Sequence, residues 1–426
     1  MSTTAVSEVA LAPAARGFWT RQRWAGAAVS AAGLLAAVLF GALATGEQAR
    51  FTLSDDAAGA ALSVHGTVGA IVFGVLALVA GVLLLSVAPA RWFTPLVIVG
   101  ALGFLASFLC WQVSAAPPGQ NFMPIVNVVR GTFMLALPLI FGALAGVLCE
   151  RSGVVNVAIE GQLLMGAFAG ALFGTMSGNV WVGLVTAGLG GAFISLLLAF
   201  FTIRYLVDQV VMGIVLNLLA LGLTGFLYER LMQTDAARYN QPPRFENWEI
   251  PLLADIPVIG PAIFRGNFFL YLALILVLVV HLALFRTRWG LRTRSVGEHP
   301  TAADTLGVRV LALRYRNVVL GGFVAGIGGA SYTLALYTFT KNMIGGKGFI
   351  ALAALIFGRW SPTGALLAAL FFGFADQLST YLGAINSVIP SQFLAMLPYL
   401  ATILAVAGLV GRVRAPAADG KPYVKG

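Results

Sequence analysis

The chain is predicted to be an all-α, polytopic helical membrane protein with about twelve transmembrane segments, one of them short or re-entrant. Three observations lead there. Of its 426 residues, 59% are hydrophobic and only 10% are charged, whereas a soluble domain carries about 25% charged residues. Several apolar segments exceed the roughly 20 residues needed to cross a hydrocarbon core. The 50 glycines suit close helix packing in lipid, and the long helical period excludes an outer-membrane barrel.

Taken from the N-terminus, the first 15 residues are Ala-rich and lack the apolar run and cleavage site of a removed signal peptide. Spans are expected at 24–45, 64–88, 93–112, 131–149, 153–178, 181–203, 207–230, 267–286, 316–340, 345–358, 361–382 and 391–411. The tenth is too short to cross as a straight helix and reads as a half-helix or a re-entrant segment buried in protein. Cys110 and Cys149 sit in apolar spans and read as packing residues, since neither a metal spacing nor a disulfide framework is present.

Orientation follows from the 26 Lys and Arg residues. With the N-terminus inside, most of them fall on inside segments, including Arg286, Arg288, Arg292, Arg294, Arg309, Arg314 and Arg316, so the topology reads N-in and C-in. The net charge of +10 is then a matter of topology, and no nucleic-acid partner is expected. Residues 413–426 become a cytoplasmic tail. Two polar loops stand out: an outside loop at 231–266 with Pro242, Pro243, Pro251, Pro257 and Pro261 beside Trp248, and an Arg-rich inside loop at 287–315.

Between two apolar stretches runs ERSGVVNVAIE, Glu150 to Glu160. An ionisable group inside a membrane costs roughly 2.5–3.5 kcal/mol, which points to a role beyond spanning. Glu150 and Arg151 read as a pair near the inner surface. Asn156 and Glu160 are four apart and share a face if the stretch is helical. Asn217 and Asp376 are polar groups within other spans; Asn342 precedes the short tenth segment and Phe349 lies inside it. For each, the plain alternative is an interhelical hydrogen bond worth about 0.6 kcal/mol. Asp208 reads as solvated or paired with Arg204, and Gly322, Gly326 and Gly329 as a tight helix contact.

The inside loop contains RTRSVGEHPTAADTLGVRVLALRYR. Thr301 and Asp304 stand three apart, like a capping box with Asp in the Glu position. Pro300 limits backward extension, Ala302, Ala303 and Leu306 can share a face, and Gly307 can end the turn. Such a short helix is either anchored to lipid headgroups by Arg or docks in a groove of a cytoplasmic partner. The nearest approach to a Walker A motif, Gly345-Gly346-Lys347-Gly348, lacks the first Gly and the hydroxyl residue. ATP-driven work therefore needs a separate subunit, and neither a catalytic nor a metal-ligating residue is expected.

Three ordered stretches carry a resemblance: ERSGVVNVAIEGQLLMGAF (150–168), GEHPTAADTLGVRVLALRYRNVVLGGFVAGIGGA (297–330) and GRWSPTGALLAALFFGFAD (358–376). The chain resembles permease subunits of ABC importers for nucleosides and simple sugars, and more distantly the branched-chain amino-acid permeases. The resemblance covers 124–412 and leaves 1–123 as an extension with three extra spans. It implies a second related permease as heterodimer partner, ABC ATPase subunits, an extracytoplasmic substrate-binding lipoprotein, and a bacterial cell membrane with its lipid. ATP and Mg would be used by the partner ATPase, with no cofactor bound by this chain. His299, Pro300, Thr301, Ala302, Ala303, Asp304, Leu306 and Gly307 would form the ATPase-coupling helix. Asn156, Glu160, Asn217, Asn342, Phe349 and Asp376 would line the path of a nucleoside or sugar, which needs hydrogen bonds and an apolar or aromatic surface. The competing readings are an ion-coupled secondary transporter using Glu160 and Asp376 as proton carriers, and a scaffold that transports nothing.

Overall fold

The computed structural model describes residues 20–53, 61–86, 89–117, 119–256, 260–385, 389–390, 393, 396, 399 and 414–425. The chain divides into two compact units, the first made chiefly of residues up to Pro124 and the second of Ile125 onward.

In the first unit, α1 (Arg21–Leu43), α2 (Gly66–Ser86) and α3 (Phe93–Ser114) are apolar and long enough to span a membrane. Glycines bring α1 and α2 together: a Cβ on Gly33 would lie 2.2 Å from the Leu78 nitrogen, and one on Gly74 2.4 Å from that of Ala37. Backbone approach of this kind drives helix association where burial of apolar surface cannot. Ser107 on α3 donates to the Ala70 carbonyl of α2 at 2.6 Å. The connections hold strands that the all-α expectation did not include. Strand β1 (Gln48–Thr52) pairs antiparallel with β2 (Ala61–His65) and parallel with β3 (Phe122–Pro124).

The second unit is built around α4 (Ile125–Glu150) and α5 (Ile159–Ser177). It continues through α6 (Val180–Arg204), α7 (Gln209–Met232) and α8 (Phe268–Arg286). Next come α9 (Arg288–Glu298), α10 (Pro300–Thr305) and α11 (Val310–Thr333), then the short α12 (Lys347–Phe357) and α13 (Pro362–Ala384). Phe141, Leu144, Ile159, Leu163, Val318 and Leu355 meet in its core. The predicted glycine contact is present: a Cβ on Gly326 would sit 2.1 Å from the Ala187 carbonyl oxygen, and one on Gly329 1.9 Å from that of Leu163. Helices α5, α6 and α11 therefore touch backbone to backbone.

Nine helices among the described residues have the length and apolarity to cross a membrane. Helix α5 is also long, but Glu160 and Gln162 lower its apolarity. The expected span 391–411 falls largely outside the described residues, as do residues 1–15 and Pro257.

Two expected spans are broken. The span placed at 153–178 begins its helix only at Ile159, and the one placed at 316–340 ends its helix at Thr333. Residues 151–158 form turns because Gly153 takes φ +84°, a conformation open to glycine. Their polar backbone is satisfied locally and by side chains. Gly153 N donates to Glu150 O at 2.9 Å, Val155 N to Gln209 Oε1 at 2.6 Å, and Asn217 Nδ2 to Val157 O at 2.9 Å. Irregular backbone at membrane depth is tolerated when it is buried and paired in this way. The second break, 334–346, is clasped by the loop after α7. Phe245 N donates to Leu334 O at 2.9 Å, and Asn240 exchanges two hydrogen bonds with the Phe339 backbone, at 2.9 and 2.8 Å. That loop also carries a small antiparallel pair, β4 (Asn247–Glu249) with β5 (Arg265–Asn267).

Candidate functional site

Helix α12 has 11 residues and rises about 16 Å, too little to cross. Its two ends are held by the two glutamates of ERSGVVNVAIE. At the N-terminus, Gly346 N and Gly348 N donate to the Glu160 carboxylate at 2.7 and 2.6 Å. Glu160 itself lies in the first turn of α5, so one carboxylate faces the positive ends of two helices. Gly348 makes this possible, since a Cβ there would lie 2.4 Å from Glu160 N. Beside it, Lys347 pairs with Asp376 of α13.

At the other end, Arg359 and Trp360 turn the chain with φ of +56° and +52°. Trp360 Nε1 donates to Glu150, and Arg151 Nε donates to Trp360 O at 2.8 Å. Glu150 and Arg151 thus share Trp360 instead of forming the expected pair. The clamp spans both ends of the half-helix, and the intervening turn 151–158 fixes the distance between its jaws.

The polar residues expected on the path separate into two groups. Glu160, Asp376 and Phe349 gather at α12, with Phe349 half-exposed and Asn342 in the preceding turn at φ +57°, a left-handed position that Asn tolerates. Asn156 and Asn217 instead pin the start of α5. Asn156 is fully buried and pairs reciprocally with Gln162 at 3.0 and 2.9 Å. Gln162 also donates to Ser195 at 2.8 Å. Asn217 accepts from Gly161 N at 2.8 Å. The expected shared helical face of Asn156 and Glu160 does not exist, because Asn156 precedes the helix. Asp208 caps α7 through Val210 N and Val211 N, both at 2.9 Å.

The break at 334–346 borders a cavity of about 430 Å³ lined by Arg244, Tyr332, Tyr337, Thr338, Thr340 and Met343, among others. Sequence reasoning missed these residues and Lys347. Lys347 was visible only as part of a failed Walker motif, and the others lie in what read as the end of a helix and an outside loop.

A second group surrounds α10. Pro300 is its first residue and His299 its cap, without a side-chain bond. The expected capping box is absent because Thr301 falls inside the helix instead of at the cap. Ala303 is buried, Ala302 is exposed, and Leu306 is 84% exposed. The three do not share a face, since the helix ends at Thr305 before Leu306. Gly307 stops it at φ +82°, as expected. Ala303 packs with Val296, Val310 and Tyr423. Nearby, Arg314 is 2% exposed and donates to Ser152 O at 3.1 Å and Lys421 O at 3.0 Å. Burial, and then the adjacent Glu150 carboxylate, push the Asp419 carboxyl up to about 8. Among the described residues, His, Cys, Asp and Glu are nowhere grouped to hold a metal ion.

Residues 128–410 match the family described as branched-chain amino acid transport system / permease component. The guanosine ABC transporter permease protein NupQ of Bacillus subtilis is 45% identical over 311 residues, covering 70% of this chain and 97% of that protein. The nucleoside ABC transporter permease protein NupC of Lactococcus lactis is 40% identical over 317 residues, 71% of this chain and 99% of that protein. A more distant relative, the guanosine ABC transporter permease protein NupP of Bacillus subtilis, is 24% identical over 304 residues, 68% of this chain and 85% of that protein.

Proposed function

The chain belongs to this family of permease components, and we propose that it is the membrane-spanning subunit of an ATP-driven importer for nucleosides. It is a multi-pass protein of the bacterial plasma membrane. The observation that carries the substrate class is its 45% identity to a guanosine permease along 97% of that protein's length. The geometry supports how such a subunit works.

In this reading the chain crosses the membrane about twelve times with both ends in the cytoplasm, and contributes neither ATP nor metal binding of its own. A second permease stands beside it in a heterodimer; Bacillus subtilis has two guanosine permeases that resemble this chain to different degrees. ABC ATPase subunits hold α10 and its exposed Leu306, and use ATP and Mg. A substrate-binding lipoprotein docks outside, near the loop that clasps the break at 334–346. The half-helix α12, clamped by Glu150 and Glu160, forms part of the wall of the path. The side chains of Phe349, Asn342 and the Lys347–Asp376 pair, with the cavity lined by Tyr332 and Tyr337, provide the aromatic surface and polar groups a nucleoside needs. Asn156 and Asn217 act as struts, since their amides are engaged in fixing α5.

An ion-coupled transporter acting alone is disfavoured by the same contacts. Glu160 accepts from two backbone N–H groups and Asp376 pairs with Lys347, so both carboxylates are engaged in holding α12. Substrate class is tested by uptake of labelled guanosine into proteoliposomes holding the full complex. Excess nucleosides are expected to compete and glucose is not; competition by glucose alone would overturn the nucleoside assignment.

A further inference from the structure

The segment Arg414–Lys425 reads RAPAADGKPYVK, a polar stretch with two prolines that has little apolar surface to bury on its own. It is nonetheless tied down at four places. Ala418 N donates to Gly297 O at 2.8 Å, and Ala417 N to Glu298 Oε2 at 3.2 Å, both at the end of α9. Tyr423 buries its ring against Val296, Ala303 and Val310, and it lines one cavity with Asp304 of α10. The buried Arg314 of α11 grips the Lys421 carbonyl with one nitrogen and the Ser152 carbonyl with another. Asp419 completes the set, its carboxyl lying beside that of Glu150.

Without this segment α10 is weakly held. Ala303 is its one buried residue, and the chain leaves it through Gly307 at φ +82°. Cavities of about 360 and 280 Å³ flank residues 307–312. A force applied at Leu306 would bend that turn before it moved the bundle. The segment bridges the gap: Tyr423 packs on Ala303 of α10, Arg314 ties Lys421 to Ser152, and Asp419 lies beside Glu150, which in turn holds Trp360 at the end of α12.

We propose that residues 414–425 are a strap that positions α10 and carries its displacement to the Glu150 turn and the half-helix α12, with Tyr423, Arg314 and Asp419 as positioning residues for energy coupling. The proposal rests on the reading of the chain as an ATP-driven permease. Physical coupling of this kind requires a contiguous set of contacts that both ends can bias; here they run from Ala303 through Tyr423 and Lys421 to Arg314 and Ser152, and from Glu150 to Trp360.

The test uses the full complex in proteoliposomes and two variants, Tyr423→Ala and Ala418→Pro; the second removes the N–H donated to Gly297. Two quantities are read: nucleoside uptake per ATP hydrolysed, and hydrogen exchange at residues 300–306 and 151–158. Loss of one hydrogen bond is worth about a five-fold change in an opening equilibrium. Exchange is therefore expected to rise about that much in both stretches. Uptake per ATP should fall while ATP hydrolysis by the complex persists, and Tyr423→Phe, which keeps the ring, should lie between wild type and Tyr423→Ala. Exchange that rises at 300–306 and stays unchanged at 151–158 overturns the strap, as does an unchanged ratio of uptake to hydrolysis. A wild-type complex that shows no ATP-driven uptake would count against the permease reading alone, and the exchange data would then decide the strap.

Discussion

Glu160 accepts two backbone N–H bonds from the start of α12 at 2.6–2.7 Å. Hydrogen bonds to an ionised group are worth about 1.5–3 kcal/mol each, so Glu160→Ala should lower thermal stability in detergent and abolish uptake. Glu160→Gln, which keeps one acceptor oxygen, should fall between. An alanine variant as stable and active as wild type would remove Glu160 from the clamp. Asp419 gives a prediction in pH. Burial and Glu150 raise its carboxyl to about 8, well above the usual carboxylate value of about 3.9. The seated segment therefore holds a proton that the free segment sheds, so its docking weakens as pH rises from about 4 and levels off above about 8. Glu150 and Arg314 are the charged groups facing it. Proteolysis of residues 414–425 should accelerate as the pH is raised toward about 8 and change no further above it, and Asp419→Asn should flatten the dependence. These partners could not be read from the sequence: Glu160 and Gly348 are 188 positions apart, and only the fold brings them together. Its own charge in an apolar setting was the legible part.

At the scale of elements, the half-helix was visible because the apolar run at 345–358 is shorter than a bilayer requires. What clamps its ends was not. The start of α5 was misplaced for a related reason: hydropathy does not distinguish a buried, side-chain-satisfied turn at 151–158 from helix. Helix α10 was bounded correctly by Pro300 and Gly307, but six residues are too few to set a face by periodicity. The buried side was decided by Tyr423, which no local pattern connects to Ala303. Leu306 projects into solvent with 84% exposure, so Leu306→Glu should leave insertion and thermal stability unchanged while separating ATP hydrolysis from uptake. Equal uptake per ATP in that variant would deny α10 its coupling role.

For the whole molecule, composition alone established a membrane protein, and three ordered motifs pointed to its family. The nine helices of crossing length and apolarity, with α5 and the half-helix α12, correspond to eleven of the twelve expected spans; the twelfth, 391–411, falls largely outside the described residues. The family match starts at residue 128, while 70% of the chain covers 97% of the guanosine permease. Residues 125–426 are therefore expected to suffice for transport, with α1–α3 as a separate addition. Uptake by a complex lacking residues 1–124 should be retained, since the family match begins at residue 128; loss of uptake with intact assembly would place the first unit in the transport cycle. The most direct measurement is uptake of labelled guanosine by the reconstituted complex with a hydrolysis-dead ATPase. Uptake should stop when hydrolysis stops. Uptake that continues at the wild-type rate would contradict an ATP-driven permease.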